Sequence, residues 1–152
     1  NGLTFDALVT PSHLPALYQF AQRHPDLPIV INHGAKPAIV AHSQPAAEWC
    51  NAMAAMASLP NVYCKLSGLP TLAGAEQSAT VFNAYIARLC ELFGCERLMW
   101  GSDWPVLGMA ANPHWSTYAG WLALVREALP CLAINEIEQI FTTTCARFYR
   151  IT

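Results

Sequence analysis

Ile29-Val30-Ile31-Asn32-His33-Gly34 is the stretch on which the reading of this chain turns. Three β-branched residues make a strand-length apolar run, two polar side chains follow, and a glycine then lets the backbone turn away sharply. Three other segments repeat the plan. Leu3-Thr4-Phe5-Asp6-Ala7-Leu8-Val9 precedes it, Val62 to Ser67 with Gly68 follows it, and Arg97-Leu98-Met99-Trp100-Gly101-Ser102 runs into Asp103-Trp104-Pro105.

A helical pattern follows each run. Pro11-Ser12 offers a turn with Ser12 as N-cap, after which Leu14, Leu17, Tyr18 and Ala21 recur at helical spacing until Pro25. The second helix starts after Pro45, carries Ala46, Trp49, Cys50 and Met53 on one stripe, and ends at Pro60. The third places Phe82, Tyr85, Ile86, Leu89 and Phe93 on one face, with Gly94 as the residue just past its end. Tyr118, Trp121, Leu122, Val125 and Leu129 mark a fourth, which Pro130 stops. Asn135, with Glu138 three residues on, reads as a capping box for a terminal helix bearing Ile137, Ile140, Phe141 and Phe148. Four right-handed βα repeats make either a small open sheet or half of a closed barrel, and the pattern alone leaves both open.

Composition narrows the class. The 152 residues are 54% hydrophobic and 12% charged, with a mean hydropathy of +0.27. A soluble domain carries roughly a quarter charged residues, so nearly all of this chain is buried against something; strands covered on both faces raise the apolar count, and so does a half barrel's inner surface. No run approaches the roughly 18 apolar residues of a membrane helix, and no signal-like segment opens the chain, so a protein without membrane contact is expected. A net charge of −2 and a pI near 6.2 leave no basic stripe for phosphates, which argues for a small-molecule partner over nucleic acid. Cys50, Cys64, Cys90, Cys95, Cys131 and Cys145 are scattered through apolar segments without metal or disulfide spacing; they read as reduced core residues, in keeping with a cytoplasmic location.

In any α/β architecture, reactive groups gather at the carboxyl ends of the parallel strands. His33 and Asp103 both stand there, each just past an apolar run. Singly, His33 reads as a histidine bonded to a loop carbonyl, and Asp103 as a turn residue capping the Trp104-Pro105 bend. Together, an imidazole and a carboxylate at one rim form the kind of cluster that binds a divalent metal or activates water. Strand alternation puts Tyr63, Lys65 and Ser67 on one face, and a lysine inside an apolar strand needs an anion; Asp6 is the candidate, in a structural interior pair. Lys36 just past the rim and Trp104 beside Asp103 are candidate substrate contacts. His13 reads as helix-capping, His24 and His42 as surface residues, His114 as a loop residue, and Trp49 and Trp121 as packing.

Taken in order, Phe5-Asp6-Ala7-Leu8-Val9, Asn32-His33-Gly34-Ala35-Lys36-Pro37, Cys64-Lys65-Leu66-Ser67-Gly68-Leu69 and Trp100-Gly101-Ser102-Asp103-Trp104-Pro105 resemble strands five to eight of the amidohydrolase-related metal-dependent hydrolases, in the sugar-lactone and dicarboxylate-lactone branch. The closing Ala146-Arg147-Phe148-Tyr149 is similar to that family's final helix. Asn32, Ala35 and Thr144 depart from its pattern, which has Asp, Gly and Asn there.

The resemblance implies an α/β fold of the (β/α)₈ TIM-barrel type, present as a half barrel, with residues 1–152 a single partial domain. It implies that Asp103 accepts a proton from the attacking water while His33 polarises the carbonyl, both being candidate ligands of a divalent metal such as zinc. The family's His-x-His pair comes from its first strand and is absent here, so weak metal binding and little turnover are expected of this chain by itself. The alternatives are a decarboxylase of the same superfamily and a non-enzymatic ligand-binding fragment. The open edges of a half barrel call for a partner, either the missing first half or a second copy.

Overall fold

The computed structural model describes residues 2–40, 44–129 and 132–151. Pro130, His42 and Cys131, read above as a helix stop, a surface histidine and a core thiol, lie outside them. β1 (Phe5–Ala7), β2 (Ile29–Ile31), β3 (Val62–Leu66) and β4 (Leu98–Trp100) form one sheet, each strand parallel to the next in sequence order. A doubly wound sheet reverses its strand order partway, whereas consecutive order without reversal is what half of a barrel requires.

Register explains why one face is apolar and the other is not. Ile29, Ile31, Val62, Cys64, Leu66 and Leu98 share the face that packs under the helices and are fully buried. Their covers are α1 (Leu14–Arg23), α2 (Ala47–Ala57), α3 (Ala79–Arg97) and α4 (Tyr118–Glu127). The α3 stripe is buried in full, as its spacing predicts; in α4, Trp121 and Val125 are buried while Tyr118 stays exposed, edge-on to Trp100 at 5.2 Å. At Gly94, φ +61 and ψ 176 break the helical dihedrals just before β4, a conformation cheap only for glycine.

The alternate residues Asp6, Val30, Tyr63, Lys65 and Met99 form the opposite face. Lys65 Nζ lies 2.7 Å from Asp6 Oδ2, the pairing expected from strand alternation, with the Asp6 side chain 40% exposed. Two short helices, α5 (Ile134–Glu138) and α6 (Thr144–Tyr149), are joined through a π-helical turn, Gln139–Thr143. From α6, Tyr149 donates its hydroxyl to Asp6 at 2.8–2.9 Å and lies 5.2 Å under Lys65 Nζ, while Phe148 packs edge-on to Tyr63 at 4.9 Å. Burial, and then the bond to Asp6, pushes the Tyr149 phenol above its ordinary value, so it stays a donor. Thus α6 floors the inner face, and Val30 and Met99 are buried by it.

Two helix starts differ from the sequence reading. Ser12 does not cap α1. Pro11 opens a 3-10 turn with Thr10 as its cap, and His13 Nδ1 accepts from the Thr10 N–H at 3.2 Å, so His13 is the capping side chain. Proline favours the first turn, and Pro11 sets the entry earlier than the apolar pattern does. α5 starts at Ile134 and not after Asn135: Glu136 Oε2 accepts the Ala133 N–H at 2.8 Å, the carboxylate half of a capping box without its hydroxyl.

Cys50, Cys64, Cys90, Cys95 and Cys145 are free thiols. Burial pushes Cys64 up and Cys90 up to about 11, so both are protonated and unreactive at neutral pH. Among the described residues no helix is long and apolar enough to cross a membrane.

Candidate active site

The turn after β2 is unusual. His33, Gly34, Ala35 and Lys36 take φ of 56°, 55°, 62° and 52°, four successive left-handed residues closed by the Lys36 N–H donating to the His33 carbonyl at 2.9 Å. Outside glycine, this conformation costs an L-residue roughly 1–2 kcal/mol. Asp103, at the equivalent place after β4, is left-handed too, with φ 58°. Strain of this kind persists only where surrounding structure over-determines it, and it clusters at functional sites.

What over-determines it comes from the helices. Trp49 of α2 donates its indole N–H to the Gly34 carbonyl at 2.8 Å, and the Tyr85 hydroxyl of α3 donates to the Ala38 carbonyl at 3.1 Å. Trp121 of α4 donates to the Gly101 carbonyl at 3.0 Å. Trp49 and Trp121 therefore do more than pack: each ties one site-bearing turn to the layer behind it.

These turns bring His33 and Asp103 together, with His33 Nε2 3.5 Å from Asp103 Oδ1 and side-chain exposures of 21% and 10%. That distance is long for a hydrogen bond. It is close to the roughly 3.4 Å that separates two ligand atoms on a tetrahedral zinc with bonds of about 2.1 Å. On the far side of the ring, Nδ1 lies 2.8 Å from Ser67 Oγ. Ser67 holds His33, through its hydroxyl at Nδ1 and through its backbone, and Ser102 Oγ, not Asp103, accepts the Trp104 N–H.

Burial pulls His33 below its ordinary value; the Asp103 charge and a hydrogen bond to the Ser67 backbone work the other way, while the charges of Lys36 and Lys65 add to the effect of burial. The imidazole is therefore neutral at neutral pH. Lys36 is half-buried, with no ion-pair partner among the described residues, and close enough for its charge to act on His33. Trp104 stands 72% exposed. His24 is exposed and lies tilted against Phe20, ring centroids 4.6 Å apart, and His114 is exposed in its loop.

Sequence reasoning gave no role to Ser67, Gly68 or Gly101. A Cβ on Gly68, whose φ is +67°, would sit 2.5 Å from His33 Nδ1, and one on Gly101 would sit 3.2 Å from Ser67 Cβ. The only advance signal was strand parity, which put Ser67 on the face of Lys65. Gly68→Ala is expected to displace the His33 ring and, with the left-handed penalty added to the overlap, to destabilise the chain by about 2 kcal/mol. Urea unfolding of the variant checks it, and an unchanged midpoint would contradict the geometry.

Among the described residues no three His, Cys, Asp or Glu side chains gather as a metal cluster. Four cavities of about 360–450 Å³ are lined by other residues.

The turns after β2 and β4 thus present an imidazole and a carboxylate at one rim of a half barrel. The chain belongs to the amidohydrolase family, whose model matches residues 1–151. It is 45% identical over 152 residues to an L-fucono-1,5-lactonase of Burkholderia ambifaria, covering 99% of this chain and 51% of that protein. An L-fucono-1,5-lactonase of Burkholderia multivorans is 34% identical, covering 99% and 52%. A crystal structure of an amidohydrolase from Burkholderia multivorans with bound Zn superposes with a TM-score of 0.88 at 34% identity, over 98% of this chain and 53% of that one. The chain spans about half the length of the curated relatives it matches, and the fold is that of half a barrel.

Proposed function

We propose that this chain carries the C-terminal half of the active site of a lactone hydrolase acting on a sugar 1,5-lactone. The observation that supports this reading is the convergence of His33 and Asp103 at 3.5 Å from two separate strand ends. Hydrolysis of a lactone needs a base ionised at neutral pH to take the proton from water, and donors where the carbonyl oxygen gains negative charge. Asp103 serves as the base. Neutral His33 stands beside it to polarise the carbonyl, and Lys36 and Trp104 contact the substrate, by charge and by an apolar wall respectively.

His33 and Asp103 would hold a divalent metal, zinc among them, since their separation suits two tetrahedral ligands. When bound, the metal supplies Lewis acidity toward the water and the carbonyl. With no further ligand cluster among the described residues, this chain alone holds such an ion weakly. Lactone hydrolysis stands ahead of the decarboxylase alternative because the relatives that match this chain nearly end to end are named lactonases. The partner that completes the site is the other half of a barrel.

The test is an assembled barrel, made from this chain and the preceding half of the Burkholderia ambifaria relative, assayed on L-fucono-1,5-lactone. Turnover and zinc retention by the assembly, with little of either in the chain alone, is the expected result. Robust turnover by the chain alone would refute the half-site reading, and an assembly inert toward lactones but active on an aromatic acid would favour the decarboxylase.

A further inference from the structure

We propose that Lys36 is the product-binding residue of this site: its ammonium group receives the carboxylate that ring opening creates, so the hydroxy acid formed competes with fresh lactone. The inference rests on the lactone reading above and deepens it.

A sugar lactone is uncharged, and its hydrolysis product is not. Water adds to the carbonyl carbon as Asp103 takes one of its protons, and the carbonyl oxygen carries the negative charge until the ring C–O bond breaks. The proton then passes to the departing ring oxygen, leaving an alcohol and a carboxylic acid. At neutral pH that acid gives its proton to solvent and becomes a carboxylate. It forms beside Asp103, whose like charge acts against it. A cation at this rim therefore serves the end of the reaction, and does little for holding the neutral lactone.

Lys36 has the place and the unspent charge for this. It is half-buried, flanked by the buried Ala35 and Pro37, in the turn that carries His33, and its backbone N–H donates to the His33 carbonyl at 2.9 Å. Lys36 and Asp103 both reach the His33 ring electrostatically, with opposite sign. They form no ion pair with each other, and Lys36 has no other ion-pair partner among the described residues. Lys65, the other cation whose charge reaches His33, is held by Asp6 at 2.7 Å. Of the two, Lys36 alone is left to meet an anion that arrives with the reaction. An ammonium on a flexible four-carbon stem can follow a carboxylate that swings away as the ring opens.

Two measurements on the assembled barrel test this: calorimetric titration with L-fuconate, the acid of the lactone assayed above, and inhibition of turnover by that acid. Lys36→Met keeps the stem and the left-handed backbone, and removes the charge. Its affinity for the acid is expected to fall about 10- to 100-fold, as for the loss of one charge-assisted contact, with KM for the lactone nearly unchanged. Lys36→Arg, which keeps the charge, should retain most of the affinity. Binding of the acid to wild type should also weaken as salt rises, while KM does not follow. Equal binding of the acid by wild type and Lys36→Met overturns the proposal, and so does a variant that loses acid and lactone affinity by the same factor. A lysine paired instead with an acidic residue of the other half would show as a less stable assembly with acid binding intact, which also overturns it. Should Lys36→Met not assemble, the salt dependence of the wild type and the Lys36→Arg titration settle the matter. Absence of lactone turnover would sink the functional reading, whereas the titration needs no turnover, so the two failures are distinguishable.

Discussion

Asp103→Asn in the assembled barrel is expected to lower lactone turnover by about 10²- to 10⁴-fold, the range over which a positioned general base acts. The substitution isolates the charge. Asp103 is left-handed at φ 58°, and asparagine is among the few side chains that tolerate that conformation, so the turn and the His33 contact should survive with the fold. An amide cannot take a proton from water, and it is a poorer ligand for a divalent cation than a carboxylate. The loss should fall on kcat, with KM little changed, because the proton transfer is felt in the transition state. Steady-state kinetics check it, and a variant retaining a tenth or more of the wild-type rate would remove Asp103 from the role of base.

Trp121→Ala is expected to cost about 3–5 kcal/mol in urea unfolding, the range for removing a large aromatic from a core. Trp121 is fully buried, lies edge-on to Phe82 at a centroid distance of 6.4 Å, and donates to the Gly101 carbonyl beneath the Asp103 turn. Folded domains are stable by roughly 5–15 kcal/mol in all, so much of the margin would go. Trp121→Phe separates the two contributions by keeping most of the packing and orphaning the carbonyl, at about 1–3 kcal/mol. A loss below 1 kcal/mol for the alanine variant would mean that α4 does not anchor this rim.

The strand order and both rim residues were legible because they rest on periodicity and on glycine. Ile29 to Ile31 is too apolar and β-branched for a loop, and a histidine just beyond it has only the rim to occupy. The Lys65–Asp6 pair was legible because a lysine in an apolar strand must find an anion. Ser67 was not, since a serine at a strand end carries no sign of which side chain its hydroxyl meets. Nor was the left-handed turn: alanine and lysine give no hint of positive φ, and only the ties from Trp49 and Tyr85 to backbone carbonyls account for Ala35 and Lys36 adopting it. Apolar spacing marked Trp49 and Trp121 as inward-facing but says nothing about where an indole N–H ends. The caps moved because Pro11 and Glu136 set local geometry more strongly than Ser12 and Asn135.

The Asp6–Lys65–Tyr149 arrangement bears on how such a half meets its complement. Its acid, its base and its phenol satisfy one another within this polypeptide, so whatever closes the cylinder needs to bring no ionised group to that depth. Docking at the lower end is thereby reduced to apolar and main-chain fit, while chemical complementarity is called for at the upper lip, where Lys36 has no ion-pair partner among the described residues.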